Sequence, residues 1–96
     1  VEAVVAPRGA QVAVQAPQLG TGHAVQQAQD ALYDFDGAVL VLYGDAPLVP
    51  AATMARLLAA LDGGARVAVL GFRPADPGAY GRIIADGDQV RKMVEY

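Results

Sequence analysis

The chain has 96 residues, 54% hydrophobic and 18% charged, with a net charge of −3, one histidine and no cysteine. That balance excludes a disordered chain, and the lack of cysteine excludes disulfide staples and thiol chemistry while fitting a cytoplasmic setting. The seven basic residues are scattered, so the basic stripe of a nucleic-acid binder is missing, and no apolar run reaches the roughly eighteen residues of a membrane span.

Much of the hydrophobic content is alanine and valine, with six aromatics and no tryptophan. Such side chains bury little area each, so the expected core is thin for a self-sufficient domain. The start, Val1-Glu2-Ala3-Val4-Val5, has neither a basic n-region nor a cleavage site, and no initiator methionine. The expectation is one unit, residues 1–96, forming an internal fragment of a larger domain.

Val1 to Ala6 reads as the tail of a helix ending at Pro7, followed by a turn at Arg8-Gly9-Ala10. Gln11 to Gln15 alternates polar and apolar residues, as a short strand does. Proline and two glycines make Pro17 to Gly22 a loop. From His23 to Leu32, the spacing of Ala24, Val25, Ala28, Ala31 and Leu32 predicts a helix, with Thr21 as its N-cap. Ala38 to Tyr43 is a continuous apolar run, the pattern of a strand buried on both faces of a parallel sheet.

Gly44-Asp45-Ala46-Pro47 ends that run, and a helix opens at Pro50 or Ala51. It runs to about Leu61, with Met54, Leu57, Leu58 and Leu61 on one face, and Asp62-Gly63-Gly64 ends it. Arg66 to Phe72 predicts a third strand, with Gly71 as a bulge. Arg82 to Ala85 and Gln89 to Glu95 predict a hairpin around Asp86-Gly87-Asp88. The order β, α, β, α, β, hairpin predicts an α/β fold: a Rossmann-like, mostly parallel sheet with flanking helices, as a partial domain ending in a β-hairpin.

In open α/β sheets ligands bind beyond the carboxyl ends of the strands, which selects three segments. The first is Gln15 to Ala24. Its glycines allow close backbone approach, and the first N–H groups of the next helix lack internal partners. A glutamine amide offers a donor beside an acceptor, matching the N3–H and carbonyl edge of uracil. The competing interpretation is an ordinary strand–turn–helix joint, with His23 no more than a helix-start residue.

The second segment holds Asp45, just past a buried strand, where a carboxylate can ligate a hard cation such as Mg²⁺ together with phosphate oxygens and water. Equally, Asp45 can cap the turn before Pro47. The third holds Gly81 and, further on, Glu95: a glycine N–H and a carboxylate can bind sugar hydroxyls, or be a turn glycine and a solvated side chain.

Taken together, the segments QAPQLGTGHAVQQA, VLVLYGDAPLV, DPGAYGRII and VRKMVEY resemble the uridylyltransferase domain of the bacterial bifunctional N-acetylglucosamine-1-phosphate uridylyltransferase/glucosamine-1-phosphate acetyltransferase family. The resemblance covers nearly the whole chain and is weakest over Val1 to Val14. It implies a nucleotide-diphospho-sugar transferase fold. Gln15 then matches the uracil-reading glutamine, and Gly20 and Thr21 the backbone and hydroxyl contacts to the nucleotide. Tyr43, Gly44 and Asp45 match the segment holding the UDP-sugar, with Asp45 a Mg²⁺ ligand. Gly81 and Glu95 match positions that bind the N-acetylglucosamine moiety.

The implied reaction is attack by the phosphate of N-acetylglucosamine 1-phosphate on the α-phosphorus of UTP, giving UDP-N-acetylglucosamine and pyrophosphate. It needs positioning and charge neutralisation rather than a protein nucleophile, so no catalytic side chain is assigned. The family's glycine-rich triphosphate loop, its sugar-contacting asparagines and its trimerising C-terminal β-helix have no counterpart in these residues. The expectation is therefore a fragment inactive alone, whose parent is a homotrimer. Two rivals stand beside this: a sugar-1-phosphate nucleotidyltransferase with another base or sugar, and a non-catalytic nucleotide-binding module of the same fold.

Overall fold

The computed structural model describes residues 1–95; Tyr96, the last residue of the VRKMVEY segment, lies outside them. The chain divides into two compact units, Val1–Leu48 and Val49–Tyr96. No helix among the described residues is long and apolar enough to cross a membrane.

The first unit opens with a short helix, α1 (Glu2–Val5), that tightens into a 3₁₀ turn at Ala6–Arg8. Residues 11–15 follow without regular structure or a ladder partner. The loop then leads into α2 (Thr21–Gln26). The helix starts at Thr21, so Thr21 is its first residue and not its cap. Gly20 stands at the N-cap with φ 112° and ψ 178°, and no side chain caps the helix. That backbone region is open essentially to glycine alone, which is why the chain turns into the helix one residue before the expected threonine.

The helix expected to continue to Leu32 changes pitch after Gln26. Gln27, Ala28 and Gln29 donate to the carbonyls three residues back, at 3.2, 3.1 and 3.0 Å, and a 3₁₀ turn spans Asp30–Leu32. A local cause is visible. The Gln27 side chain takes the His23 carbonyl at 2.9 Å, the acceptor its own backbone N–H would have used in an α-helix, so that N–H moves to Ala24.

In the second unit α3 (Ala51–Asp62) follows Pro50, whose φ of −64° and ψ of 145° make it the N-cap. Thr53, Met54, Leu57 and Leu61 are its half-buried positions, while Leu58, expected on that face, is exposed. The helix ends in a Schellman motif. Ala65 N–H donates to Ala60 O at 3.1 Å and Gly64 N–H to Leu61 O at 3.0 Å, with Gly64 at φ 105°.

The hairpin forms as expected. Strands β1 (Arg82–Asp86) and β2 (Gln89–Val94) pair antiparallel around the two-residue loop Gly87-Asp88, with a register shift between Ile84 and Ala85. Asp86, read as a turn residue, instead pairs with Gln89 as the last residue of β1. Its carboxylate takes Arg91 Nη2 at 3.1 Å.

The parallel sheet does not form among the described residues, where the one sheet is this hairpin. Residues 11–15, 38–43 and 66–72 form no strand and have no ladder partner. A doubly covered strand needs neighbours for its backbone and helices over both faces. Val41, Leu42 and Tyr43 are instead 53%, 52% and 61% exposed. Gly71 is no bulge in a ladder; a Cβ there would sit 3.0 Å from Ile83 Cδ1, so the residue permits close approach of β1.

Candidate functional site

In the first unit the loop from Gln15 to His23 is closed by one side chain. Gln15 Nε2 donates to Gly20 O at 3.0 Å and lies 2.9 Å from His23 Nδ1. Gly20 O also accepts Ala24 N–H at 3.1 Å, so this carbonyl joins the loop to α2. Gln15, His23 and Gln27 are half-buried in an otherwise exposed stretch. The amide nitrogen of Gln15 is committed within the loop, and its Oε1 has no partner among the described residues. The donor-beside-acceptor edge expected of Gln15 is thus reduced, in this conformation, to an acceptor.

The end of the 38–43 run meets the start of α2. Thr21, Ala24 and Val25 face Val41, Leu42 and Tyr43 across an open cavity of about 330 Å³. Two of the residues selected from the sequence, Thr21 and Tyr43, therefore line one concavity. Its walls are apolar apart from the threonine and tyrosine side chains, which suits the flat face of a base or ribose better than a phosphate.

Gly44 and Asp45 sit in the turn that follows, closed by Ala46 N–H donating to Tyr43 O at 3.2 Å. The Asp45 carboxylate is exposed and makes no hydrogen bond or ion pair among the described residues. Turn capping, the simpler role open to it, is absent. One uncommitted carboxylate fits a single ligand position on Mg²⁺, a cation that keeps several waters and phosphate oxygens. No group of three or more His, Cys, Asp or Glu among the described residues forms a complete cage.

In the second unit Gly81 and Glu95 are brought side by side. A Cβ on Gly81 would lie 3.2 Å from Val94 O and 3.6 Å from Glu95 Oε2. The missing side chain at Gly81 thus leaves room beside the glutamate carboxylate at the open end of the hairpin. Two neighbours brace the approach. The Arg82 guanidinium donates to Gly78 O at 3.1 Å and to Tyr80 O, and Tyr80 packs edge-on to Phe72 with ring centroids 5.0 Å apart. Asp76 Oδ1 accepts Gly78 N–H at 3.0 Å, an Asx turn that sets the start of this loop.

Sequence reasoning read His23 as no more than a helix-start residue and gave the Gln27 and Arg82 side chains no role. The spacing of His23 and Gln27, four residues apart on a helical stretch, was the available signal for their contact. The pairing of Gln15 with His23 crosses a loop and has no periodic signature.

The model of the MobA-like NTP transferase domain matches residues 1–86. The chain belongs to that family. It is 65% identical over 99 aligned positions to the bifunctional protein GlmU of Rhizorhabdus wittichii, covering all of this chain and 22% of that protein. It is 62% identical to the bifunctional protein GlmU of Sphingopyxis alaskensis and 57% identical to that of Novosphingobium aromaticivorans, in each case over 91% of this chain and 20% of the relative. The chain thus spans about one fifth of the length of these curated relatives. No solved structure matches it. The resemblance drawn from the four sequence segments is borne out over the full chain, and with it membership of a nucleotidyltransferase family.

Proposed function

We propose that this chain is the uracil- and sugar-facing part of a larger enzyme that transfers a uridylyl group from UTP to N-acetylglucosamine 1-phosphate, releasing pyrophosphate. The observation that carries this is the first unit's loop. One glutamine, closed onto Gly20 O and His23, stands beside a cavity lined by Thr21 and Tyr43. Whole-chain similarity to proteins named bifunctional protein GlmU supports it.

Each residue has a role set by its chemistry. Gln15 meets the base edge, and Gly20 lets the backbone approach the nucleoside. Thr21 and Tyr43 offer hydroxyls to the ribose. Gly44 keeps the turn clear of the sugar nucleotide, and Asp45 would hold Mg²⁺, which neutralises phosphate charge when bound. Gly81 opens room beside Glu95, whose carboxylate accepts from sugar hydroxyls. Holding the sugar-phosphate oxygen in line with the α-phosphorus is the protein's main contribution, because such transfers depend on orientation and charge neutralisation.

The same proposal explains the exposed apolar runs. Val39, Val67 and Val69 are uncovered here, and in the larger enzyme they pack against strands and helices outside this chain. The triphosphate grip also comes from outside, so the 96-residue chain by itself does not turn over. The full-length enzyme is proposed to be cytoplasmic and trimeric through a further domain. Assay of that enzyme with UTP and N-acetylglucosamine 1-phosphate, with and without Mg²⁺, tests the proposal: pyrophosphate release that depends on both substrates and on the metal is expected, and none overturns it.

A further inference from the structure

Gln15, His23 and Gln27 place one imidazole between two amide nitrogens. Gln15 Nε2 lies 2.9 Å from His23 Nδ1, and Gln27 Nε2 lies 3.2 Å from His23 Nε2. A neutral imidazole has one lone pair and one N–H, so it accepts from only one of them. Gln15 uses one of its N–H bonds on Gly20 O at 3.0 Å and aims the other at Nδ1. Gln27 holds the His23 carbonyl at 2.9 Å, and its approach to the ring is the longer of the two. The shorter contact takes the lone pair. On that assignment Nδ1 accepts, Nε2 carries the hydrogen, and Gln27 stays on the carbonyl.

We propose that His23 is a positioning residue that sets base choice by fixing which end of the Gln15 amide faces the ligand. With both amide hydrogens spent on Gly20 O and His23 Nδ1, Gln15 offers only Oε1. An acceptor there receives the N3–H of uracil and repels the N3 lone pair of cytosine. Were Nδ1 to carry the hydrogen, it would draw Oε1 to the ring and turn the NH₂ group outward, reversing that preference. The inference rests on the proposed role of Gln15 at the base.

The test is steady-state kinetics of the full-length enzyme with UTP and with CTP, in the variants His23→Leu, His23→Asn, His23→Gln and Gln15→Ala. Losing one such hydrogen bond corresponds to a change of about tenfold. His23→Leu is therefore expected to raise KM for UTP about tenfold, leave kcat within about a factor of two, and narrow the UTP-over-CTP ratio of kcat/KM about tenfold. Asparagine puts an acceptor near the place of Nδ1 and restores most of the ratio; glutamine puts its amide near Nε2 and does not.

An unchanged ratio in His23→Leu, or equal rescue by asparagine and glutamine, overturns the inference. If the leucine variant fails to fold, the asparagine–glutamine pair decides alone. Gln15→Ala separates the two layers of the argument. A ratio that collapses there but not in His23→Leu removes only the role of His23. A ratio and KM untouched in Gln15→Ala remove the base-reading role of Gln15, and this inference with it.

Discussion

Gln15 Nε2 and Gly20 O are joined by a 3.0 Å hydrogen bond that spans the loop and fastens its first residue to the entry of α2. The same carbonyl accepts the Ala24 N–H within the helix start. The loop's shape is thus set by one glutamine and one glycine, and each of them has a measurable consequence.

Gly20 holds φ at 112°, and an alanine there strains the backbone by about 1–3 kcal/mol. Gly20→Ala in the full-length enzyme is expected to relieve that strain by moving the carbonyl away from Gln15. KM for UTP should rise about tenfold or more while KM for the sugar phosphate stays near its original value. A rise confined to the sugar phosphate would place this loop away from the nucleotide.

Asp45 presents an exposed carboxylate with no protein partner among the described residues, and the proposed function gives it Mg²⁺ to hold. Asp45→Ala is expected to lower uridylyl transfer by about two to three orders of magnitude, the scale of a lost charge-stabilising contact. Circular dichroism and the melting temperature should stay close to the unmodified enzyme, since the side chain holds nothing in the fold. Near-normal turnover would remove Asp45 from the metal site.

How much of this was legible in the sequence differs from element to element. The hairpin follows from local chemistry, since Gly87-Asp88 makes the two-residue turn between the paired Asp86 and Gln89. Helix α3 follows likewise from its apolar spacing and from the paired glycines that end it. The three parallel strands were inferred from the alternation of residues 11–15 and the runs at 38–43 and 66–72, and a strand of that kind is completed by neighbours. Residues 38–43 have the right side chains and none of the backbone partners, so they form no strand, and all but Leu40 are exposed.

The site divides in the same way. Gln15, Thr21 and Tyr43 stood out because glycines and strand ends surround them, and Thr21 and Tyr43 do share a cavity. Thr21 as a cap did not hold, because Gly20 takes a backbone shape threonine cannot. His23 was read only as a helix-start residue, because its contact with Gln15 joins residues eight apart across an irregular loop. No period marks such a pair.

At the hairpin's open end, Gly81→Ala would place a methyl group 3.2 Å from Val94 O and 3.6 Å from Glu95 Oε2. The expected result is a several-fold higher KM for N-acetylglucosamine 1-phosphate, with Glu95→Gln raising it similarly and UTP affinity unaffected by either. Equal effects on both substrates would speak for a general loosening of the hairpin instead.

The 96-residue chain expressed alone is expected to give no measurable turnover of UTP and N-acetylglucosamine 1-phosphate, because its apolar runs lack cover and its loops lack a triphosphate grip. Pyrophosphate release by the isolated chain would contradict that division of labour.

The measurement closest to the central claim is a substrate panel on the full-length enzyme, pairing UTP, CTP and dTTP with N-acetylglucosamine 1-phosphate and glucose 1-phosphate. The account predicts the highest kcat/KM for UTP with N-acetylglucosamine 1-phosphate, lost in Asp45→Ala. Faster transfer of a thymidylyl group to glucose 1-phosphate would contradict it.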